Sequence, residues 1–454
     1  MATALIILAA GQGTRMNSER PKVMHELGGA PLFAHALAAG ASLSPEQTVL
    51  VAGHGAQAVA GAARVLDPDI TVVTQEEQLG TAHAVAQARD ALSGFQGDAI
   101  VLYGDTPFIR PETLEAMASA RAGGADVVVL GFQAADPGRY GRLVMQGDAL
   151  DRIVEFKDAT VEERAISLCN SGVICADAGL LFDLISNVGN ENASGEYYLT
   201  DVVAIARSRA LKASVVTCDE AETLGINTRA ELAAAEASFQ AGARSAAMEN
   251  GVTLMAPETV FFSFDTMIGR DAVIEPNVFF GPGVTIENGA RIRAFSHLEG
   301  AHVSTGAIAG PYARLRPGAE LSNNARVGNF VEIKNAQVGE GAKVNHLTYV
   351  GDATVGESAN IGAGTITCNY DGVSKHHTHI GARAFIGSNT MLVAPVSVGD
   401  EAMTATGTVV TANVPDGAMA VGRAKMEIKP GLAIKLFKKL RSAKANRQKN
   451  ISKD

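Results

Sequence analysis

Residues 268–298 read IGRDAVIEPNVFFGPGVTIENGARIRAFSHL, and a large apolar residue returns at every sixth position: Ile268, Ile274, Phe280, Ile286, Ile292 and Leu298. After a step of five, the period carries on through Val303, Ala309, Leu315, Leu321, Val327 and Ile333. Further steps of five lead to Val338, Val344 and Val350, and then to Val355 and Ile361. Ile380, Ile386, Leu392, Val398, Thr404 and Val410 complete the series, with small residues often three or four places on. Such a hexapeptide repeat predicts a parallel β-helix, in which each aliphatic residue points into the coil and each coil covers the one before it.

The series breaks once at length, inside NIGAGTITCNYDGVSKHHTHIG, residues 360–381. Thirteen residues separate Ile366 from Ile380, among them Cys368, Asn369, Tyr370, Asp371, Lys375 and three histidines. His376, His377 and His379 have no Cys or carboxylate at ligand spacing, so no metal is expected there. Nearby, LRPGAEL, GNFVEIK and NHLTYVGD supply Arg316, Glu332, Lys334, His346 and Tyr349. Residues about eighteen apart stack in neighbouring coils, which makes Arg316 and Lys334 a cation pair suited to a phosphate monoester. His346 is the candidate general base, with Glu332 the carboxylate expected to orient it.

Upstream the pattern changes. The apolar runs TALIILAA, TVLVAG, ITVVT, DAIVLYGD and DVVVLGF alternate with helical stretches such as PLFAHALAAGAS and GTAHAVAQARDAL. This predicts a mainly parallel sheet covered on both faces, with ligands beyond the carboxyl ends of its strands. LAAGQGTRM, residues 8–16, follows the first strand, and its glycines allow close backbone approach to phosphate. It is neither a Walker A loop nor GxGxxG, since no Lys-Ser/Thr follows and Met16 occupies the third glycine position. Arg15 and Lys22 favour a triphosphate. Gln75, Gly80 and Thr81 suit the reading of a base, and Asp105 and Asn227 could hold Mg²⁺ with few protein ligands. We expect an α/β domain at 1–227, a linker helix at 228–250, a β-helix at 251–428 and a basic tail at 429–454.

The chain has 454 residues and no tryptophan, and its formal charge of −10 argues against a general nucleic-acid binder. The tail alone carries +8 against −18 elsewhere. Its Leu432, Leu436 and Leu440 form a short helical stripe, read as an end that attracts an anionic coenzyme; neither nucleic acid nor stable membrane association is expected. Four cysteines without framework spacing, no signal peptide and no long apolar run point to a cytoplasmic protein.

LAAGxGTRM followed by PK, then QLGTAHA, YGDTP, GRYGRL, IVEFKDAT, NSG and GIN, in this order, resemble sugar-1-phosphate nucleotidyltransferases. With the hexapeptide half, nearly the whole chain resembles the bacterial bifunctional N-acetylglucosamine-1-phosphate uridyltransferase/glucosamine-1-phosphate acetyltransferase family. The resemblance implies a Rossmann-like mixed sheet, a left-handed coil and a homotrimer formed through the β-helix. Ala10, Gly11, Gly13, Gln75, Gly80 and Thr81 would then hold uracil and ribose, with Arg15 and Lys22 on the phosphates of UTP. Leu8, Ala9, Tyr103 and Gly104 complete that site. Gly141, Glu155 and Asn170 would hold N-acetylglucosamine, and Asp105 and Asn227 the Mg²⁺. Gln12 stands where the motif commonly has lysine.

In the coil, the resemblance makes His346 the base that deprotonates the sugar ammonium for attack on acetyl-CoA. Arg316 and Lys334 would bind the sugar phosphate. Tyr349, Asn360, Asn369 and Tyr370 would position the sugar and stabilise the oxyanion. Ala363, Asn369, Tyr370, Ser388, Thr406 and Arg423 would contact the coenzyme, and the insertion would reach a neighbouring chain. The alternative is a single-activity nucleotidyltransferase whose β-helix is structural or regulatory.

Overall fold

The computed structural model describes residues 2–451, with side chains through residue 445. The end of the basic tail lies outside the described residues. Two compact units result: Met1–Asn250 with Pro257–Thr266 and Phe280–Gly283, and Gly251–Ala256 with Met267–Phe279 and Val284–Asp454. Among the described residues, no helix is long and apolar enough to cross a membrane.

The first unit is built on β1 (Thr3–Ala9), β2 (Gln47–Ala52), β3 (Thr71–Thr74), β4 (Asp98–Tyr103), β5 (Val127–Gln133), β6 (Arg142–Gln146), β7 (Ala149–Val154), β8 (Leu168–Asp177) and β9 (Ala213–Cys218). The sheet runs β9-β5-β8-β4-β1-β2-β3, and the β6–β7 hairpin joins it through β8. β8 is antiparallel to both neighbours, so the sheet is mixed. Successive side chains on a strand face opposite ways. In β1, Ala4, Ile6 and Leu8 enter one core with Leu181 and Val202 from the helices Ala178–Ile185 and Asp201–Ser208. Leu5, Ile7 and Ala9 enter the other with Phe33, Val59 and Leu114 from Leu32–Ala41, Ala56–Leu66 and Pro111–Ala122. Helices on both faces explain why this strand is apolar without alternation.

A helix spans Arg229–Glu249, opened by a capping box in which Thr228 and Glu231 satisfy each other's backbone N–H. The chain leaves it through Gly251 at φ +90°, a conformation glycine adopts without strain.

The second unit winds in parallel coils. Ile274, Ile292, Ala309, Val327, Val344, Ile361, Ile386 and Thr404 pair successively on one face. Ile286, Val303, Leu321, Val338, Val355, Ile380 and Val398 pair on a second. Leu298, Leu315, Ile333 and Val350 pair on the third. Three hexads make one coil, and each step of five shortens a coil by one residue. Two positions before the large residue, a smaller one also points inward: Ala272, Ala290, Ala307, Ala325, Ala342 and Ala359 are all buried.

The interruption starts later than the aliphatic pattern suggests. Tyr349 pairs with Ile366, and Ile366–Thr367–Cys368 with Met391–Leu392–Val393. The inward position after Ile361 is therefore Thr367, fully buried, its hydroxyl bonded to the Gly351 N–H (2.8 Å) and C=O (3.0 Å). A threonine that satisfies its hydroxyl on the backbone can occupy a core position. The inserted residues lie between Thr367 and Ile380.

Candidate active sites

In the first unit, a cleft of about 320 Å³ opens at the carboxyl ends of β1 and β4. Leu8, Ala10, Gly11, Lys22, Gln75, Gly80, Thr81, Tyr103 and Asp105 line it, as do Gln78 and Glu196. Gly104 N–H donates to Leu8 C=O at 2.9 Å, which carries the β1–β4 pairing to the cleft and brings Ala10 and Asp105 out side by side. Ile226 N–H donates to Asp105 C=O at 3.0 Å, and the Asn227 N–H to Glu231 of the capping box at 2.7 Å. The start of the helix thus sets Asn227 beside Asp105.

Lys22 is buried, and its ammonium lies between the Asp105 carboxylate and Asn227 Oδ1, the latter at 3.0 Å. Arg15 donates to the same Asn227 oxygen at 2.9 Å. A carboxylate and an amide oxygen already converge on one cationic centre, so these residues fit a hard divalent cation with few protein ligands. Gly13, at φ +64°, lies against Lys22, where a Cβ would come 2.6 Å from the lysine Cβ. Gly80, at φ +120°, leaves even less room, since a Cβ would meet the Tyr197 carbonyl at 2.5 Å. Ala9 is buried in the sheet core beneath the cleft.

Gly141, Glu155 and Asn170 also meet. Asn170 N–H donates to Gly141 C=O at 2.9 Å, and a Cβ on Gly141 would lie 3.4 Å from Glu155 Oε1. A register shift in β8 after Asn170 bends the strand here. Burial, with nearby Asp158, Asp201 and Glu196, pushes the Glu155 carboxyl above the usual range despite a bond from Thr200. Tyr103 links the two groups. Its phenol is pushed up by burial first, then by Glu155 and Asp105.

In the second unit, His346 is exposed at a corner, with Nδ1 2.9 Å from Asn329 Oδ1. An amide oxygen there places the ring proton on Nδ1 and leaves Nε2 able to accept. The expected role of Glu332 is corrected. Its carboxylate receives Arg316 at 2.8 Å, because the two side chains share a face of adjacent coils. Asn329, the residue in register with His346, is what orients the imidazole.

The same corner continues upward. Gly364 N–H donates to His346 C=O (3.2 Å), Asn389 N–H to Ala363 C=O (2.7 Å) and Gly407 N–H to Ser388 C=O (2.8 Å). His346, Ala363, Ser388 and Thr406 therefore form one column, and Arg423 reaches the Thr406 carbonyl at 3.1 Å. Asn360 sits one face away, in register with Lys343 and Phe385.

Arg316, Lys334 and Lys375 gather on the face beyond Tyr349. The neighbouring Lys375 ammonium lowers Lys334, and Arg316 adds to that effect. Asp352 lies among them, receiving Asn335 at 2.6 Å and Asn369. Burial pushes its carboxyl up, but those two amides and the lysines outweigh it and hold it below the usual range. Asn369 also reaches Tyr349 Oη at 3.4 Å. The inserted loop is closed on itself: Asp371 accepts from Val373 and Ser374 N–H and from His376 at 2.7 Å, and Tyr370 donates to Gly372 C=O. His377 instead contacts Thr354 at 3.0 Å. Among the described residues, no group of three or more His, Cys, Asp or Glu is placed to hold a metal.

Residues 5–171 match the model of the MobA-like NTP transferase domain. Residues 265–300 match the bacterial transferase hexapeptide (six repeats), and 377–412 the hexapeptide repeat of succinyl-transferase. The chain is 69% identical over 446 residues to the bifunctional protein GlmU of Cereibacter sphaeroides (strain ATCC 17023), covering 98% of each. It is 64% identical over 447 residues to that of Jannaschia sp. (strain CCS1), again 98% of each. With that of Ruegeria sp. (strain TM1040) the identity is 66% over 449 residues, 99% of this chain and 100% of the relative. The chain belongs to the bifunctional GlmU family. GlmU enzymes join a uridyltransferase half to a hexapeptide acetyltransferase half, and this chain has both.

Polar residues that escaped the reading of the sequence include Gln78 and Glu196 in the cleft, and Asn329 and Asp352 in the coil. For the coil pair a signal existed. Asn329 and His346, like Asn335, Asp352 and Asn369, are one shortened coil apart.

Proposed function

We propose that the α/β half transfers UMP from UTP to N-acetylglucosamine-1-phosphate, after the β-helix half has acetylated glucosamine-1-phosphate with acetyl-CoA. The observation that carries this reading is the presence, in one chain, of a cleft where Arg15, Lys22, Asp105 and Asn227 converge and of a β-helix that carries both an oriented imidazole and three clustered cations. The domains would run 1–227, 228–250 and 251–428, with the tail 429–454, in the cytoplasm.

In the first half, Gln75 and Gly80 hold the base, and Arg15 and Lys22 hold the phosphates while the sugar phosphate oxygen attacks the α-phosphorus and pyrophosphate leaves. Gly141, Glu155 and Asn170 seat the sugar. Mg²⁺ held by Asp105 and Asn227 would supply charge neutralisation on the phosphates. In the second half, Arg316, Lys334 and Lys375 hold the sugar phosphate. His346 Nε2 accepts the proton of the amine as it attacks the thioester. Ala363, Ser388, Thr406 and Arg423 border the path of the coenzyme.

A homotrimer fits an exposed apolar ladder beside His346. Phe295, Tyr312, Phe330 and Leu347 occupy one corner of successive coils at positive φ, and are 51%, 47%, 56% and 62% exposed. The rings of Phe295, Tyr312 and Phe330 stack with centroids 4.9 and 5.2 Å apart. A contiguous apolar stripe of this kind favours a protein partner, and its continuity with His346 favours a site completed by a neighbouring copy.

Mass spectrometry of products from glucosamine-1-phosphate, acetyl-CoA, UTP and Mg²⁺ tests the reading: UDP-N-acetylglucosamine is expected. His346→Ala should lower acetyl transfer by about 10²–10⁴-fold and keep uridyl transfer. If product forms only from N-acetylglucosamine-1-phosphate, the β-helix is a scaffold.

A further inference from the structure

Gln75 is buried at the cleft wall, and both hydrogens of its amide nitrogen are engaged. One goes to the Gly80 carbonyl at 3.2 Å, the other to His83 Nδ1 at 3.0 Å. A carbonyl only accepts, so the amide nitrogen faces Gly80, and Nδ1 must be the acceptor on the histidine ring. His83 stands in the helix Thr81–Ala86, where the Gln87 amide nitrogen donates to its carbonyl at 3.0 Å; the 3.2 Å approach of that nitrogen to Nε2 is then no hydrogen bond, because Nε2 carries the ring proton. Among the described residues, no donor reaches Gln75 Oε1. That oxygen is what the side chain offers a ligand.

We infer that His83 is a positioning residue for base selection: by holding the Gln75 nitrogen, it commits Oε1 to the base, so the cleft accepts a pyrimidine with a donor at N3 and refuses one with an acceptor there. This rests on the reading that Gln75 faces the base of the nucleotide. Uracil carries N3–H, whereas N3 of cytosine is a bare lone pair. A freely turning amide would satisfy either ring, presenting oxygen to one and nitrogen to the other. A locked amide sets oxygen against the cytosine lone pair in a buried position, where an unmade hydrogen bond is costly. Thymine also carries N3–H, so the lock separates cytidine from uridine and leaves thymidine undistinguished.

The test compares kcat/KM for UTP and CTP in nucleotidyl transfer by the full chain. Wild type should prefer UTP by about a hundredfold or more. His83→Leu should reduce that ratio about tenfold, the value of one hydrogen bond. His83→Asn, whose Oδ1 can stand in for Nδ1, should keep the ratio within about threefold. A merely structural histidine would lower both rates and leave the ratio alone. An unchanged ratio in His83→Leu, with a reduced ratio in Gln75→Leu, overturns the role of His83 and keeps Gln75 as the base reader. An unchanged ratio in Gln75→Leu overturns the base reading itself. Acetyl transfer by the same samples reports folding. Should His83→Leu not fold, His83→Gln replaces it, since its acceptor lies nearer the Nε2 position; equal ratios in the Asn and Gln variants overturn the inference.

Discussion

Single side chains in both sites are held by partners far away in sequence. Asp105 is 122 positions from Asn227, yet both oxygens meet at the Lys22 ammonium. Removing one leaves the buried lysine half-paired and, on the proposed reading, leaves Mg²⁺ with one protein ligand. Asp105→Ala should therefore lower uridyl transfer by about 10²–10³-fold and leave acetyl transfer unchanged, measured on the same preparation. Asp352 gives a pH prediction. Its folded pKa lies below the ordinary value, so the stability it contributes is present above that ordinary value and fades as pH falls through the folded one. Asp352→Asn should melt below wild type at pH 7, and the gap should close as the pH drops below about 4. A gap that persists at low pH would mean that packing, not charge, sets the effect.

At the scale of elements, the capping box is both a helix start and a part of the first site. Glu231 binds the N–H groups of Thr228 and Asn227 together. Thr228→Ala should cost about 1 kcal/mol and lower the melting temperature by about 2–4 °C. It should also raise the Mg²⁺ concentration needed for half-maximal uridyl transfer. An unshifted Mg²⁺ dependence would detach the cap from the site. The helix and its glycine exit were legible in the sequence because Thr228, the alanine run and Gly251 act locally. The β-helix was legible because a core that repeats every coil must repeat in sequence. The start of the insertion was not, because Thr367 fills a core position with a hydroxyl satisfied by Gly351, a contact one coil away. Glu332 misled for a related reason: a carboxylate near a histidine in sequence belongs here to the guanidinium that shares its face.

For the whole molecule, the ladder of Phe295, Tyr312, Phe330 and Leu347 is an exposed apolar surface suited to a partner. Bulky residues at positive φ are strained, and stacking of exposed rings along one corner does not remove them from water. Tyr312→Glu with Phe330→Glu should leave the protein monomeric by analytical ultracentrifugation, since unpaired charges in an apolar contact are strongly unfavourable. Acetyl transfer should fall with assembly, because His346 adjoins the ladder, while uridyl transfer persists. Full acetyl transfer by a monomer would show that one chain completes the site.

The sequence alone determined the two architectures, the long helix that follows the sheet and most of the residues that line the cleft of the first unit. Those follow from local rules: period six for the coil, alternating apolar runs and helices for the sheet, and glycines where the backbone must come close. Tertiary structure decided which groups act on which. Asn329, rather than Glu332, holds His346; Asp352 stands among the lysines; His83 holds Gln75. These assignments depend on register between coils and on rotamers across a cleft, where distances of about 3 Å separate a partner from a bystander.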